Sequence, residues 1–225
     1  MIGTRLAASL ATRAYRSRAL ARTFFGIDFL PRGPQDYYYD ISTLVVVRRV
    51  ARMLGPGRRL LDLGTGSYGV IGLSLWKKTG CDVTCCDIDP ELVASTRRNI
   101  ELNEAPIPVI ESDLFTNVPG PFDVVTFNPP YIATSFGDRW NVDARQSQWD
   151  GGEEGSDAVG PFLASVAARD HSVTACLAMN TIFVKGDRIR AMVADQPELE
   201  LVETYRPPVL PIELHTIENR HARSK

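Results

Sequence analysis

The chain is expected to fold as a doubly wound α/β domain, a mostly parallel seven-stranded sheet under an N-terminal helical cap. Two observations predict this. From Arg59 onward, short apolar runs of strand length alternate with segments of helical length, the pattern of a parallel sheet buried on both faces. The first run, Leu60-Leu61-Asp62-Leu63, passes directly into Gly64-Thr65-Gly66-Ser67-Tyr68-Gly69. Glycines there allow a tight turn and a close backbone approach to a ligand before a helix begins, which makes the arrangement Rossmann-like.

Residues 1–40 form the cap or lid, and residues 41–225 the ligand-binding catalytic domain. The first 27 residues carry Arg5, Arg13, Arg16, Arg18 and Arg22 and no acid before Asp28. Leu6, Leu10, Tyr15, Leu20 and Phe24 can form the apolar stripe of a capping helix; a mitochondrial transit peptide and an RNA-facing basic helix are the alternatives. Pro31, Gly33 and Pro34 keep the connector Phe29–Asp40 out of regular helix, and Tyr37, Tyr38 and Tyr39 make it a candidate lid. A helix is expected from Ser42 to Met53, stopped by Gly55-Pro56-Gly57. Strands follow at Arg59–Leu63, Asp82–Asp87, Pro108–Glu111 and Phe122–Phe127. Helices follow at Gly69–Lys78, Pro90–Asn103 and Val159–Arg169, with Asp89 capping the second. Val173–Val184, Arg188–Gln196, Leu199–Tyr205 and Glu213–Glu218 then read as strand, helix, strand and strand.

With 225 residues, 44% apolar and 23% charged, the composition is that of one globular domain. A net charge of −2 gives a polyanion little to bind, so a nucleic-acid partner would need a local basic patch. Cys81, Cys85, Cys86 and Cys176 lack the paired knuckles of a zinc site and read as reduced core thiols, so no metal is expected. No apolar run approaches the roughly 18 residues that cross a bilayer. A soluble cytoplasmic protein follows, or one of the mitochondrial matrix if residues 1–27 are a transit peptide. His171, His215 and His221 fall in no recognisable site.

The glycine turn suits two ligands. Gly64, Gly66 and Gly69 satisfy G-x-G-x-x-G, and Asp87 ends the next strand, as a dinucleotide site requires. Asp62, however, would oppose a pyrophosphate. It can instead meet the cationic amino-acid end of S-adenosylmethionine, or orient the turn. Asp87 can accept both ribose hydroxyls, and Asp113, after the third strand, the adenine amino group. S-adenosylmethionine is therefore the expected cofactor. Its expected contacts are Asp62, Gly64, Thr65, Gly66, Tyr68, Asp87, Ile88, Asp113, Leu114 and Asn128.

The most specific signal is Asn128-Pro129-Pro130-Tyr131 at the end of the fourth strand, where ligands of open α/β sheets bind. Two successive prolines stiffen the backbone, so the Asn128 carboxamide and the Pro129 carbonyl can stand as fixed acceptors for one NH2 group. Tyr131 is expected to stack on the planar face of that group. Asn128, Pro129 and Tyr131 would thus hold a planar amide, amine or heteroaromatic nitrogen against the sulfonium methyl.

The set Asp62–Ser67, Asp87–Glu91, Arg97–Asn99, Ser112–Phe115 and Asn128–Tyr131 resembles class I methyltransferases of the HemK type, which methylate glutamine amides in release factors, and their relatives acting on exocyclic base amines. The stretch Asp150–Asp157 is similar to the glycine- and acid-rich segment that follows the motif in glutamine methyltransferases. The resemblance spans roughly Arg59 to Arg169. It implies that Asp87 and Asp113 bind ribose and adenine and that Asn128 and Tyr131 hold the acceptor. Tyr68 departs from it, standing where the family has its third glycine, with Gly69 displaced by one. The N-terminal part is shorter than the family's helical recognition domain. Tyr37–Tyr39, Phe136, Trp140 and Trp149 suggest a pocket for a small flat acceptor, or are ordinary core aromatics. Two other classes stay open: an enzyme that cyclises the cofactor and releases methylthioadenosine, and a non-catalytic binding module. Oligomeric state is not legible.

Overall fold

The computed structural model describes residues 12–31, 37–134 and 150–219. In chain order its elements are α1 (Arg18–Phe25), α2 (Ile41–Val50), β1 (Arg59–Leu63), α3 (Val70–Thr79), β2 (Asp82–Asp87), α4 (Pro90–Leu102), β3 (Val109–Glu111), β4 (Val124–Phe127), α5 (Val159–Ala167), β5 (Thr174–Asn180), α6 (Gly186–Ala194), β6 (Leu199–Tyr205) and β7 (Ile212–Asn219). The strands form one seven-stranded sheet in the order β3-β2-β1-β4-β5-β7-β6. Strands β1 to β5 pair in parallel, and β7 runs antiparallel between β5 and β6.

Alternation along the strands splits the core in two. Leu60 joins Val46, Val50, Leu73 and Ile100, whereas Leu61 and Leu63 join Phe162, Leu163, Val166 and Ile189. Helices α2, α3 and α4 therefore cover one face and α5 and α6 the other, which is why the strands read as continuous apolar runs.

Element ends differ from the expected ones for local reasons. Phe122 and Asp123 lie outside β4: the Phe122 N–H donates to His171 Nε2 at 3.3 Å, and the Asp123 carboxylate accepts the Arg59 N–H at 2.7 Å. Pro108 has no N–H to give, so β3 begins at Val109. Helix α5 stops at Ala167, and Arg169 places its guanidinium over the Phe115 ring.

In the cap, the Ser17 side chain accepts from the Leu20 N–H and Gly26 ends α1 in the left-handed conformation. The buried face is Ala21 and Phe25. Leu20 and Phe24, expected in the apolar stripe, are each 39% exposed. The break at Ser17 resets the helical phase, so a stripe counted from further upstream does not continue through it. Leu6 and Leu10 lie outside the described residues. Tyr39 takes Tyr15, Phe24 and Phe25 edge-on at 5.4, 5.9 and 5.2 Å, which joins the cap to the core beneath α2. Cys81, Cys85, Cys86 and Cys176 are free and buried. Among the described residues no helix is long and apolar enough to cross a membrane.

Candidate functional site

The carboxyl ends of β1, β2 and β4 and the turn after β3 meet where the strand order reverses, between β1 and β4. They line a cavity of about 330 Å³. Gly64, Thr65, Gly66, Tyr68, Asp87, Ile88, Asp113, Leu114, Asn128, Pro129 and Tyr131 all border it. Asp62 does not.

Asp62 lies beneath the turn. It accepts from Thr65 Oγ1 at 2.7 Å, from the Gly72 N–H at 3.0 Å and from Thr126 Oγ1 at 2.9 Å, tying together β1, α3 and β4. Of its two expected roles, the geometry supports orientation of the turn. Complete burial outweighs these donors and pushes its carboxyl up to about 6 from 3.8. The folded chain thus holds the Asp62 proton to higher pH than the unfolded chain does. Asp62's contribution to stability is fully present below about pH 4 and lost as pH rises through 6, a change of about 3 kcal/mol. Asp62→Asn removes this dependence, because an amide oxygen can serve Thr65 and Gly72 while its NH2 donates to Thr126. Between pH 4 and pH 7 the wild-type protein is expected to lose about that much stability relative to the variant in urea titrations. A difference that does not change with pH would refute the assignment.

The turn itself needs glycine. Gly64 has φ 65°, and a Cβ there would come within 3.1 Å of the Phe127 ring. The Thr65 N–H donates to the Cys86 carbonyl at 3.0 Å and the Gly66 N–H to Asp87 Oδ2 at 2.9 Å. Tyr68 packs on Tyr38 and Phe29 at 5.2 and 6.0 Å, and Gly69, at φ 61°, takes the left-handed position that starts α3. The tyrosine therefore occupies cavity wall, and the glycine displaced by one carries the backbone reversal.

Asp87 accepts from Gly66 and Asp89 N–H groups at 2.9 and 3.1 Å, and its burial still pushes its carboxyl up. Ile88 is 62% exposed beside it. Leu114 takes φ 47°, costly for a side chain with a Cβ, and Ser112 Oγ donates to its carbonyl at 2.9 Å. Among the described residues that border the cavity, Asp40, Asp87 and Asp113 are acidic and none is Lys, Arg or His. Such a wall favours a cation and opposes a pyrophosphate.

At the other end, the Asn128 carboxamide lies 2.8 Å from Ser42 Oγ. The Tyr131 hydroxyl donates to the Asp40 carboxylate, and the ring stacks on Phe183 at 5.7 Å with an interplanar angle of 24°. One face of Tyr131 is therefore already covered by protein. Beneath this loop the glycine- and acid-rich stretch folds back: the Gly151 N–H donates to the Ile132 carbonyl at 2.8 Å and the Thr134 N–H to the Gly152 carbonyl at 3.0 Å. Gly155, at φ 73°, lies so close that a Cβ would be 2.6 Å from the Tyr131 carbonyl. Gly155→Ala is expected to cost about 1–3 kcal/mol in unfolding experiments, from the left-handed backbone and the displaced loop.

Sequence reasoning missed Asp40, Ser42 and Thr43. The signal was present: Asp40 followed at the third position by Thr43 before an apolar run is a capping-box pattern, and Asp40 Oδ1 accepts from the Thr43 N–H at 2.9 Å. Phe136, Trp140 and Trp149 lie outside the described residues.

Comparison with known proteins bears on the same region. Residues 37–142 match the family model described as the methyltransferase small domain. The matched segment includes the glycine turn, Asp87, Asp113 and the Asn128 loop. The chain is 37% identical over 105 residues to a putative protein N5-glutamine methyltransferase of Methanocaldococcus jannaschii, covering 46% of this chain and 52% of that one. It is 33% identical over 145 residues to a release factor glutamine methyltransferase of Deinococcus radiodurans, covering 62% and 49%. The chain thus spans about half the length of these curated relatives. A methyltransferase from Pyrococcus furiosus superposes with a TM-score of 0.63 at 19% identity, over 95% of this chain and 98% of that one. The two proteins share a fold.

Proposed function

We propose that the chain transfers the methyl group of S-adenosylmethionine to a planar nitrogen, with the side-chain amide of a protein glutamine as the leading acceptor class. The observation that carries this reading is the shared cavity: the glycine turn with Asp87 and Asp113 borders one part and Asn128 with Tyr131 another. Asp87 would hold the ribose, Asp113 and Ile88 the adenine, and the glycine turn the amino-acid end, against a wall that has no Lys, Arg or His among the described residues. The cofactor supplies an electrophilic methyl group. Asn128 and the Pro129 carbonyl accept from the acceptor NH2 and aim its lone pair, and the stiff Pro-Pro backbone keeps them aligned. Positioning of this kind supplies on the order of 7–11 kcal/mol of barrier reduction.

The names of the glutamine methyltransferase relatives favour a protein amide over a small free acceptor, for which Tyr37, Tyr38 and Tyr39 at the cavity remain the support among the described residues. Four buried free thiols fit a reducing, cytoplasmic setting. The test is incubation with methyl-labelled S-adenosylmethionine, with and without glutamine-containing protein substrates. S-adenosylhomocysteine formed only with acceptor, and label recovered on a glutamine side chain, support the reading. Methylthioadenosine released without acceptor overturns it in favour of cofactor cyclisation.

A further inference from the structure

Ser42 Oγ has one proton and too many acceptors. It lies 2.6 and 2.7 Å from the two carboxylate oxygens of Asp40 and 2.8 Å from the Asn128 carboxamide oxygen. If Ser42 gave its proton to Asn128, its oxygen would face the Asp40 carboxylate with nothing between them. If it gave the proton to Asp40, it would face the Asn128 oxygen the same way. A half-turn of the carboxamide about its last bond exchanges oxygen and nitrogen and removes the conflict. The distances agree with that outcome: 2.6–2.7 Å suits a hydroxyl on a carboxylate, and 2.8 Å suits an N–H on a hydroxyl oxygen.

We infer that Asp40 and Ser42 are positioning residues that fix the Asn128 carboxamide with its nitrogen donating to Ser42 and its oxygen turned to the cavity. Asp40 commands the Ser42 proton because it is the charged acceptor. The same carboxylate is held in place by the Thr43 N–H at 2.9 Å, by Thr43 Oγ1 at 2.8 Å and by the Tyr131 hydroxyl. Ser42 is fully buried and Asp40 nearly so, which limits competition from water for these bonds. The end of the carboxamide away from Ser42 has no hydrogen-bond partner among the described residues, and Asn128 borders the cavity. The start of α2 thereby decides which amide atom meets an acceptor. The orientation stands on the proton count, and its use in aiming an acceptor NH2 rests on the proposed methyl transfer.

The experiment follows the Asn128 side-chain NH2 resonances in the ligand-free, 15N-labelled full chain, assigned by their loss in Asn128→Asp. In the wild-type protein at least one of the two protons is expected to exchange with solvent about tenfold or more slowly than a free amide. Ser42→Ala removes the acceptor and abolishes the protection. Asp40→Asn keeps a good helix cap, but its NH2 takes over the Ser42 oxygen and frees the Ser42 proton for Asn128, so the protection is lost without loss of the fold. Should Ser42→Ala fail to fold, Asp40→Asn decides alone. Fast exchange in the wild-type protein, or equal protection in Asp40→Asn, overturns the inference. The measurement contains no cofactor, so failure of the wild-type protein to bind S-adenosylhomocysteine would sink the proposed function and leave this result intact.

Discussion

Asn128→Ala is expected to lower methyl transfer by about 10²–10³ while leaving affinity for S-adenosylhomocysteine within about threefold. The asymmetry follows from where the residue stands. Asn128 follows β4, with Ser42 on one side and the cavity on the other, while the groups expected to hold ribose and adenine come from the end of β2 and the turns after β2 and β3. Truncation removes a fixed acceptor that works hardest when positive charge develops on the acceptor nitrogen, and it leaves the cofactor half of the cavity in place. Turnover measured as S-adenosylhomocysteine formation, set beside calorimetric binding, separates the two effects. Parallel losses of rate and affinity would assign Asn128 to cofactor binding instead.

Asp87→Ala is expected to show the converse, weakening S-adenosylhomocysteine binding by about 10²–10⁴. Each carboxylate oxygen already takes one backbone N–H, from Gly66 or Asp89, and retains a lone pair for a ribose hydroxyl. Two hydrogen bonds to a charged group contribute about 1.5–3 kcal/mol apiece. Alanine also releases the Gly66 N–H, which loosens the turn before any ligand arrives. A calorimetric loss below about fivefold would mean that Asp87 serves the turn alone.

Much of the site was legible because its parts are continuous in the chain. Gly64 to Gly69, Asp87 with Ile88, and Asn128 to Tyr131 each follow a strand whose apolar run announces it, and a parallel sheet puts the ends of neighbouring strands together. Asp62 shows where such reasoning stops. Its spacing from Gly64 marks it as important, but whether it faces the ligand or the underside of the turn depends on Thr126 and Gly72, from β4 and α3. Tyr131 is similar: its ring suggested an open stacking surface, and Phe183, after β5, covers one face of it.

The sequence by itself determined the α/β class, the alternation of elements and the residues at the strand ends, because these follow from periodicity, glycine and proline, which act within a few residues. Only the tertiary structure decided that Ser42 reaches Asn128 and Asp40 reaches Tyr131, across separations of 86 and 91 residues. It also decided that Asp40, Asp87 and Asp113, far apart in the chain, border one cavity. Contacts of that kind arise when the helix before the sheet packs against the strands that follow it, and no local pattern along the chain encodes which side chains will then share a proton.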